Sequence, residues 1–216
     1  MVNIYGISKF HMKIFTDAVF GVAITILAVE LQVPHLDSNS LVSSEEFGEI
    51  ATTFISYITT FVIIGIYWIT YHAVFNPITR TTDLMIWMNL SFLMFIAIIP
   101  FSIRLMNEYN NQHSFIFYSI IQIMTGLILF LMWQHVIRKN TLVNSQRENL
   151  TQLNPEVIRL TYYRTIIIPI AYTISIVFSF INPNIVSIFP LIIITPVSIF
   201  LRWKYKDHSD LHAHEV

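Results

Sequence analysis

The sequence contains no cysteine and only five glycines, and few of its residues carry charge. Without cysteine, a disulfide framework, a thiolate nucleophile and a cysteine metal site are excluded. Charged residues make up 12% of the 216 residues, against about 25% in a soluble domain. Hydrophobic residues make up 55%, and the mean hydropathy is +0.62. A soluble globule with so little charge would not cover its surface, so the composition predicts a protein embedded in lipid.

Other absences narrow the function. A formal net charge of −1 and a pI near 6.7 argue against a nucleic-acid binder. Since no Gly-x-Ser-x-Gly, His-Glu-x-x-His or paired aspartates are present, we expect neither an enzyme nor a cofactor. The filter sequence Thr-Val-Gly-Tyr-Gly and an arginine ladder are also absent. These absences exclude a conventional potassium filter and a voltage sensor.

Six apolar runs are long enough to cross a bilayer, which takes about 20 mostly apolar residues per helix. They cover approximately residues 10–33, 47–75, 84–106, 114–137, 165–181 and 184–203. The first run contains Asp17 and lacks a small-x-small cleavage site, so we expect it in the mature protein. The sequence predicts an all-α integral membrane protein with a six-helix domain over residues 1–206 and a short His-rich tail over 207–216.

The distribution of lysine and arginine predicts the orientation of the chain in the membrane. With a cytoplasmic N-terminus, eleven of the twelve lysines and arginines lie on the cytoplasmic side, and Arg104 alone lies outside. Because positive residues favour cytoplasmic loops, we expect a multi-pass protein of the cell membrane with both termini cytoplasmic.

The first apolar run has an acidic face. Asp17 is costly in a membrane unless it is paired or hydrated, so it is a functional candidate. At 100° per residue, Gly21, Ile24 and Ala28 share its face, and small residues favour close helix packing. We therefore expect this face to pack against a neighbouring helix, with Asp17 buried and partnered.

A second face of the same run carries Val22, Thr25 and Val29, which fall within about 60° of each other. One hydroxyl between two branched apolar residues is typical of ordinary packing, with the hydroxyl bonded to its own helix. A pore lining is the alternative.

The segment Phe15-Thr16-Asp17, followed by this apolar helix, resembles the first-helix signature of the transmembrane protein 175 family of potassium-permeable channels. The family signature reads Arg-x-x-x-Phe-Ser-Asp. Thr16 stands here in place of the serine and keeps the hydroxyl, whereas His11 stands in place of the arginine. The resemblance continues at Trp68-x-x-x-His72 in the second helix, Asn89-Leu90 in the third, and Pro100-Phe101 where the third ends.

The resemblance implies a homotetramer of six-helix subunits whose first helices line a central pore. Val22 and Val29, five and twelve positions after Asp17, match the hydrophobic constrictions of the family. Thr25 matches a threonine that contributes to selectivity in some members. The implied function is a channel for K⁺ and other monovalent cations, with K⁺ transiently near Thr25 and no firmly bound metal. Neutral hydroxyls have a weaker field than stacked carbonyls, so we expect modest selectivity for K⁺ over Na⁺.

The resemblance also implies a structural hydrogen-bond network at the cytoplasmic end of the helices. It joins Asp17, His72 and Asn89, with Trp68 packed beside them. His11, Phe15 and Thr16 complete the set. The alternative is that Trp68 and His72 are simple anchors at the membrane–water interface.

The main rival function is a proton-coupled secondary transporter that uses Asp17 and His72, although the two halves of the chain show no similarity to each other. Glu30 either faces an outer vestibule or caps the first helix, and Arg104 and Glu108 are spaced as an ordinary surface pair. The histidines of the tail are spaced for divalent metal, but a disordered tail is the simpler interpretation.

Overall fold

Five long helices make up most of the described chain. The computed structural model describes residues 5–31, 44–109, 111–138, 155–180, 192–194 and 196. In chain order the helices are α1 (Lys9–Val29), α2 (Ser44–Phe75), α3 (Asp83–Tyr109), α4 (Gln112–Arg138) and α5 (Pro155–Ser179). Among the described residues, five segments are long and apolar enough to cross a membrane: all of α1, α3 and α4, residues 50–75 of α2 and residues 158–179 of α5. The chain is therefore an all-helical, multi-pass membrane protein over these residues.

Helices α1 to α4 coincide with the first four predicted spans to within a few residues. The fifth begins at Pro155, ten residues before the predicted start at residue 165. Arg159 and Arg164 mark the N-terminal limit of the apolar run, but a charged residue does not end a helix. The helix begins earlier, at Pro155, and proline is favoured in the first turn of a helix. The family resemblance placed Pro100-Phe101 where the third helix ends, but α3 continues through both residues to Tyr109, close to the predicted end of the span at residue 106. The sixth span, residues 184–203, and the tail lie outside the described residues, apart from 192–194 and 196.

Polar side chains begin three of the helices. The Ser8 hydroxyl accepts a hydrogen bond from the backbone N–H of His11 and caps α1. The Thr82 hydroxyl accepts from Met85 N–H ahead of α3, and the Asn111 side chain accepts from Ser114 N–H at the start of α4. Each cap satisfies a backbone donor that has no partner within the helix.

The helices pack through two groups of contacts. Helix α4 lies against α3 and α5, while α1 lies against α3 and α2. The ring of Phe92 in α3 lies 5.9 Å from Phe20 of α1 and stacks at 5.8 Å on Tyr71 of α2. Gly126 lets α4 approach α5 closely, because a Cβ there would collide with the ring of Pro169. The α1–α2–α3 contacts position the candidate site.

Candidate pore helix and polar cluster

Helix α1 packs within the chain through a face that its sequence did not indicate. Its buried residues recur every three or four positions: Met12, Thr16, Phe20, Ala23 and Leu27. The Asp17 face, about 110° away at 100° per residue, was expected to pack but is largely open. A Cβ added to Gly21 would meet nothing within 4 Å. The expected burial of this face is not found within the chain, because large and polar side chains on the Thr16 face find partners there, but Asp17 does have the expected partners on a neighbouring helix.

The face with Val22, Thr25 and Val29 lies about 150° from the buried face of α1. Val22 is 56% exposed and Val29 is 80% exposed, and Thr25 is exposed between them. Ile26 is also exposed. It was missed from the sequence, although its spacing of four from Val22 puts it on the same side. Three predicted pore residues therefore share one open surface of the single chain.

The Thr25 hydroxyl bonds to its own helix. Its Oγ1 lies 2.8 Å from the carbonyl oxygen of Val22 and 3.1 Å from that of Gly21, and it donates to them. A hydroxyl has one hydrogen and two acceptor lone pairs. Since the hydrogen points to the backbone, the oxygen presents its lone pairs away from the helix. The back-bond expected of ordinary packing thus coexists with an exposed oxygen acceptor.

Asp17 has two partners on α2. One carboxylate oxygen, Oδ1, accepts a 2.9 Å hydrogen bond from Trp68 Nε1 and lies 3.1 Å from His72 Nε2. The Trp68 and His72 rings meet edge to face at 4.6 Å, so the two partners also pack on each other. The Asp17 side chain remains 44% exposed in the single chain, against 26% for His72. This Asp17–Trp68–His72 group is called the acidic cluster below.

Asn89 joins a separate, buried group. Its Nδ2 donates to Thr16 Oγ1 at 3.2 Å, and Thr16 Oγ1 lies 3.0 Å from the Tyr71 hydroxyl. All three side chains are at most 2% exposed. The predicted contact of Asn89 with Asp17 is therefore replaced by one with Thr16. Consecutive residues of a helix point about 100° apart, so Thr16 points between α2 and α3, while Asp17 points to Trp68 and His72 on α2.

Tyr71 completes this Thr16–Tyr71–Asn89 group, called the buried cluster below, and was missed from the sequence. A tyrosine hydroxyl inside an apolar span needs a partner, which was the available signal. His11 and Phe15 lie apart from both clusters. His11 Nδ1 lies 2.8 Å from Ser8 Oγ, and the Phe15 side chain is 52% exposed. In the part of the chain that the structure describes, no group of three metal-binding side chains occurs.

The first three helices match a known family. A family model described as the endosomal/lysosomal potassium channel TMEM175 matches residues 11–100. Residues 11–100, which hold most of α1, all of α2 and most of α3, are therefore similar to the TMEM175 family. This confirms the resemblance seen in Phe15-Thr16-Asp17, and the family is one of ion channels rather than enzymes.

Individual relatives agree with the family match. A potassium channel of Streptomyces collinus is 27% identical over 59% of this chain and 64% of its own length. A potassium channel of a Chryseobacterium species is 27% identical over 66% of this chain and 69% of its own length. The crystal structure of a lysosomal potassium-selective channel TMEM175 homolog from Chamaesiphon minutus covers 91% of this chain and 97% of that chain, with a TM-score of 0.65 and 19% identity. This last likeness establishes the fold.

Proposed function

We propose that the chain is one subunit of a potassium-permeable cation channel of the cell membrane. Four copies, each with six spans and both termini cytoplasmic, bring their α1 helices together around a central pore. The observation that carries the proposal is the open face of α1 with Val22, Thr25 and Val29. The names of the bacterial relatives, which are potassium channels, support the choice of ion.

Val22 and Val29 form the two constrictions of the proposed pore. They are seven residues apart, which is about 10.5 Å along the helix. Four copies of each give two apolar rings, and a narrow apolar ring closes a pore by dewetting. Ile26 lies between the two rings and keeps the wall apolar.

Thr25 forms the polar ring between these constrictions. It lies three residues beyond Val22, which is about 4.5 Å along the axis. Four hydroxyl oxygens with their hydrogens turned to the backbone present lone pairs to a cation and no donor to an anion. They replace part of the hydration shell of K⁺ with a weaker field than a carbonyl filter, so selectivity over Na⁺ is modest.

The acidic cluster has a structural role in this proposal. Asp17 Oδ1 joins α1 to α2 through Trp68 and His72, and Asp17 is turned about 110° away from the face of Val22, Thr25 and Val29. Its exposed side is then available for packing between subunits. In this proposal Asp17 contributes to the assembly of the subunits and not to ion conduction, so the proposed pore face of α1 carries no charged side chain.

A proton-coupled secondary transporter is the second candidate, favoured by the 3.1 Å contact between His72 and Asp17. Two titratable side chains in contact can share and pass a proton. Liposomes with opposed K⁺ and proton gradients separate the two candidates. A channel gives K⁺ flux that follows the K⁺ electrochemical gradient alone, whereas saturable flux that requires a proton gradient favours the transporter.

Thr25→Val tests the channel directly. Valine keeps the shape of threonine and removes the hydroxyl, so the shift of reversal potential between K⁺ and Na⁺ solutions should shrink, while Thr25→Ser should retain it. Thr52→Val is the matched control, since Thr52 is an exposed threonine of α2 with the same kind of back-bond, 2.9 Å to Gly48 O. Unchanged selectivity in Thr25→Val would contradict the proposed threonine ring.

A further inference from the structure

An interhelical ion pair ties the far end of α1 to α3. Glu30 follows directly after α1, and its Oε2 lies 3.2 Å from Arg104 Nη1. Arg104 also approaches Glu108 of its own helix, with 3.9 Å between Nε and Oε2. Arg104 was expected to make only that surface pair, so the shorter contact across helices is new. The Glu30–Arg104 pair is called the outer clamp below.

The partial charge at the C-terminus of α1 favours the pairing of Glu30 with a cation. The C-terminus of a helix carries partial negative charge from its unpaired carbonyl groups, so a glutamate there is unfavourable without a cation. Arg104 supplies that cation from α3. The Glu30 side chain is 21% exposed and that of Arg104 is 46% exposed, so the pair is partly withdrawn from solvent.

The clamp and the buried cluster hold α1 to α3 at two well-separated levels. Thr16 contacts Asn89 at one level, and Glu30 contacts Arg104 at the other. The interval is fourteen residues on α1 and fifteen on α3, which is about 21 Å and about 22 Å. Because the two intervals differ by only one residue and run in the same chain direction, α1 and α3 form a parallel pair that is fixed near both ends.

We propose that the outer clamp positions the Val29 constriction, so that Glu30 and Arg104 are positioning residues for the pore. This rests on the proposed function in that Val29 faces the pore. Val29 is the neighbour of Glu30 and is 80% exposed, so the clamp is the polar contact between helices that lies nearest to it along α1 among the described residues. Val22 lies about two turns away, next to the Phe20–Phe92 contact, and depends on that packing instead.

Single cysteines test the clamp cleanly, because the chain has none of its own. Val29→Cys and Val22→Cys proteins in liposomes are reacted with a charged methanethiosulfonate reagent, and the modification rate is followed by mass. We expect Glu30→Gln and Arg104→Gln each to change the rate at position 29 about two- to fivefold in the same direction. The double variant should show no larger change, and the rate at position 22 should stay constant.

Two controls make the result specific to the clamp. Glu108→Gln removes only the longer contact within α3 and should leave the rate at position 29 unchanged, and Arg104→Lys keeps the charge and should largely restore it. An unchanged rate in Glu30→Gln or Arg104→Gln, or additive effects in the double variant, would overturn the clamp. The rate is measured without current, so a wild-type protein that passes no K⁺ would overturn the channel and leave this test standing.

Discussion

Thr16 and Tyr71 share a 3.0 Å hydroxyl contact that is sealed from solvent between α1 and α2. Asn89 donates to the same threonine oxygen from α3, so one side chain holds three helices together. In an apolar surrounding, a polar group that loses its partner suffers the full cost of desolvation. The Thr16 hydroxyl therefore links the first three helices, in addition to the packing of the Phe20, Tyr71 and Phe92 rings.

Thr16→Val should destabilise the protein by about 1–3 kcal/mol, because it leaves the Asn89 amide and the Tyr71 hydroxyl without this partner. Thr16→Ser should remain close to wild type, since it keeps the oxygen. The measurement is thermal unfolding in detergent, followed by tryptophan fluorescence. Thr52→Val on the open side of α2 serves as the control and should change stability little. Equal stability of Thr16→Val and wild type would show that the hydroxyl is dispensable.

Asp17→Ala should impair assembly more than conduction. The substitution removes the acceptor of Trp68 Nε1 and the partner of His72 Nε2. We expect a smaller tetramer fraction on size-exclusion chromatography, with unchanged unitary conductance in the channels that do form. A fully assembled tetramer with altered selectivity would place Asp17 on the ion path and refute the structural role.

Val22→Ser should increase K⁺ flux several-fold, because a polar ring stays wet where an apolar ring empties. Flux into liposomes loaded with a K⁺ indicator measures the effect. Val177→Ser is the matched control, since Val177 is 61% exposed on α5, away from α1. If both variants behave alike, the change reports on membrane exposure rather than on a constriction.

Gly126→Ala should lower stability by about 1–3 kcal/mol, because the added methyl group collides with the ring of Pro169 and forces α4 and α5 apart. Gly65→Ala is the opposite case. A Cβ at Gly65 meets nothing within 4 Å, so alanine should stabilise α2 by about 0.5–1 kcal/mol. Melting temperatures that move in the same direction for both variants would contradict the close approach at Gly126.

The positions of α1 to α4 could be predicted because the length of each run of apolar residues is read directly from the sequence. The shared face of Val22, Thr25 and Val29 could also be predicted, since it follows from the helical repeat alone. The start of α5 could not. Charged residues mark the limit of an apolar run, but they do not mark the limit of a helix. Helix α5 therefore begins at Pro155, ten residues before the apolar run from which its start was predicted.

The partners of the polar side chains could be predicted only in part. The family resemblance grouped Trp68 and His72 of α2 with Asp17 of α1, and their similar depth in the membrane agrees with that grouping. Depth does not give the rotation of one helix against another. That rotation sends Asn89 to Thr16 instead of Asp17, and it depends on the packing of rings such as Phe20 and Phe92.

The opposed faces of α1 predict how the helix responds to mutation. Side chains that hold the chain together repeat through Met12, Thr16, Phe20, Ala23 and Leu27, and the proposed pore residues repeat about 150° away. A saturation scan of this helix, scored once for protein yield and once for current, should give two periodic profiles with the same period and nearly opposite phase. Helix α1 thus carries two separable sets of constraints, which explains why its sequence has apolar residues on every side.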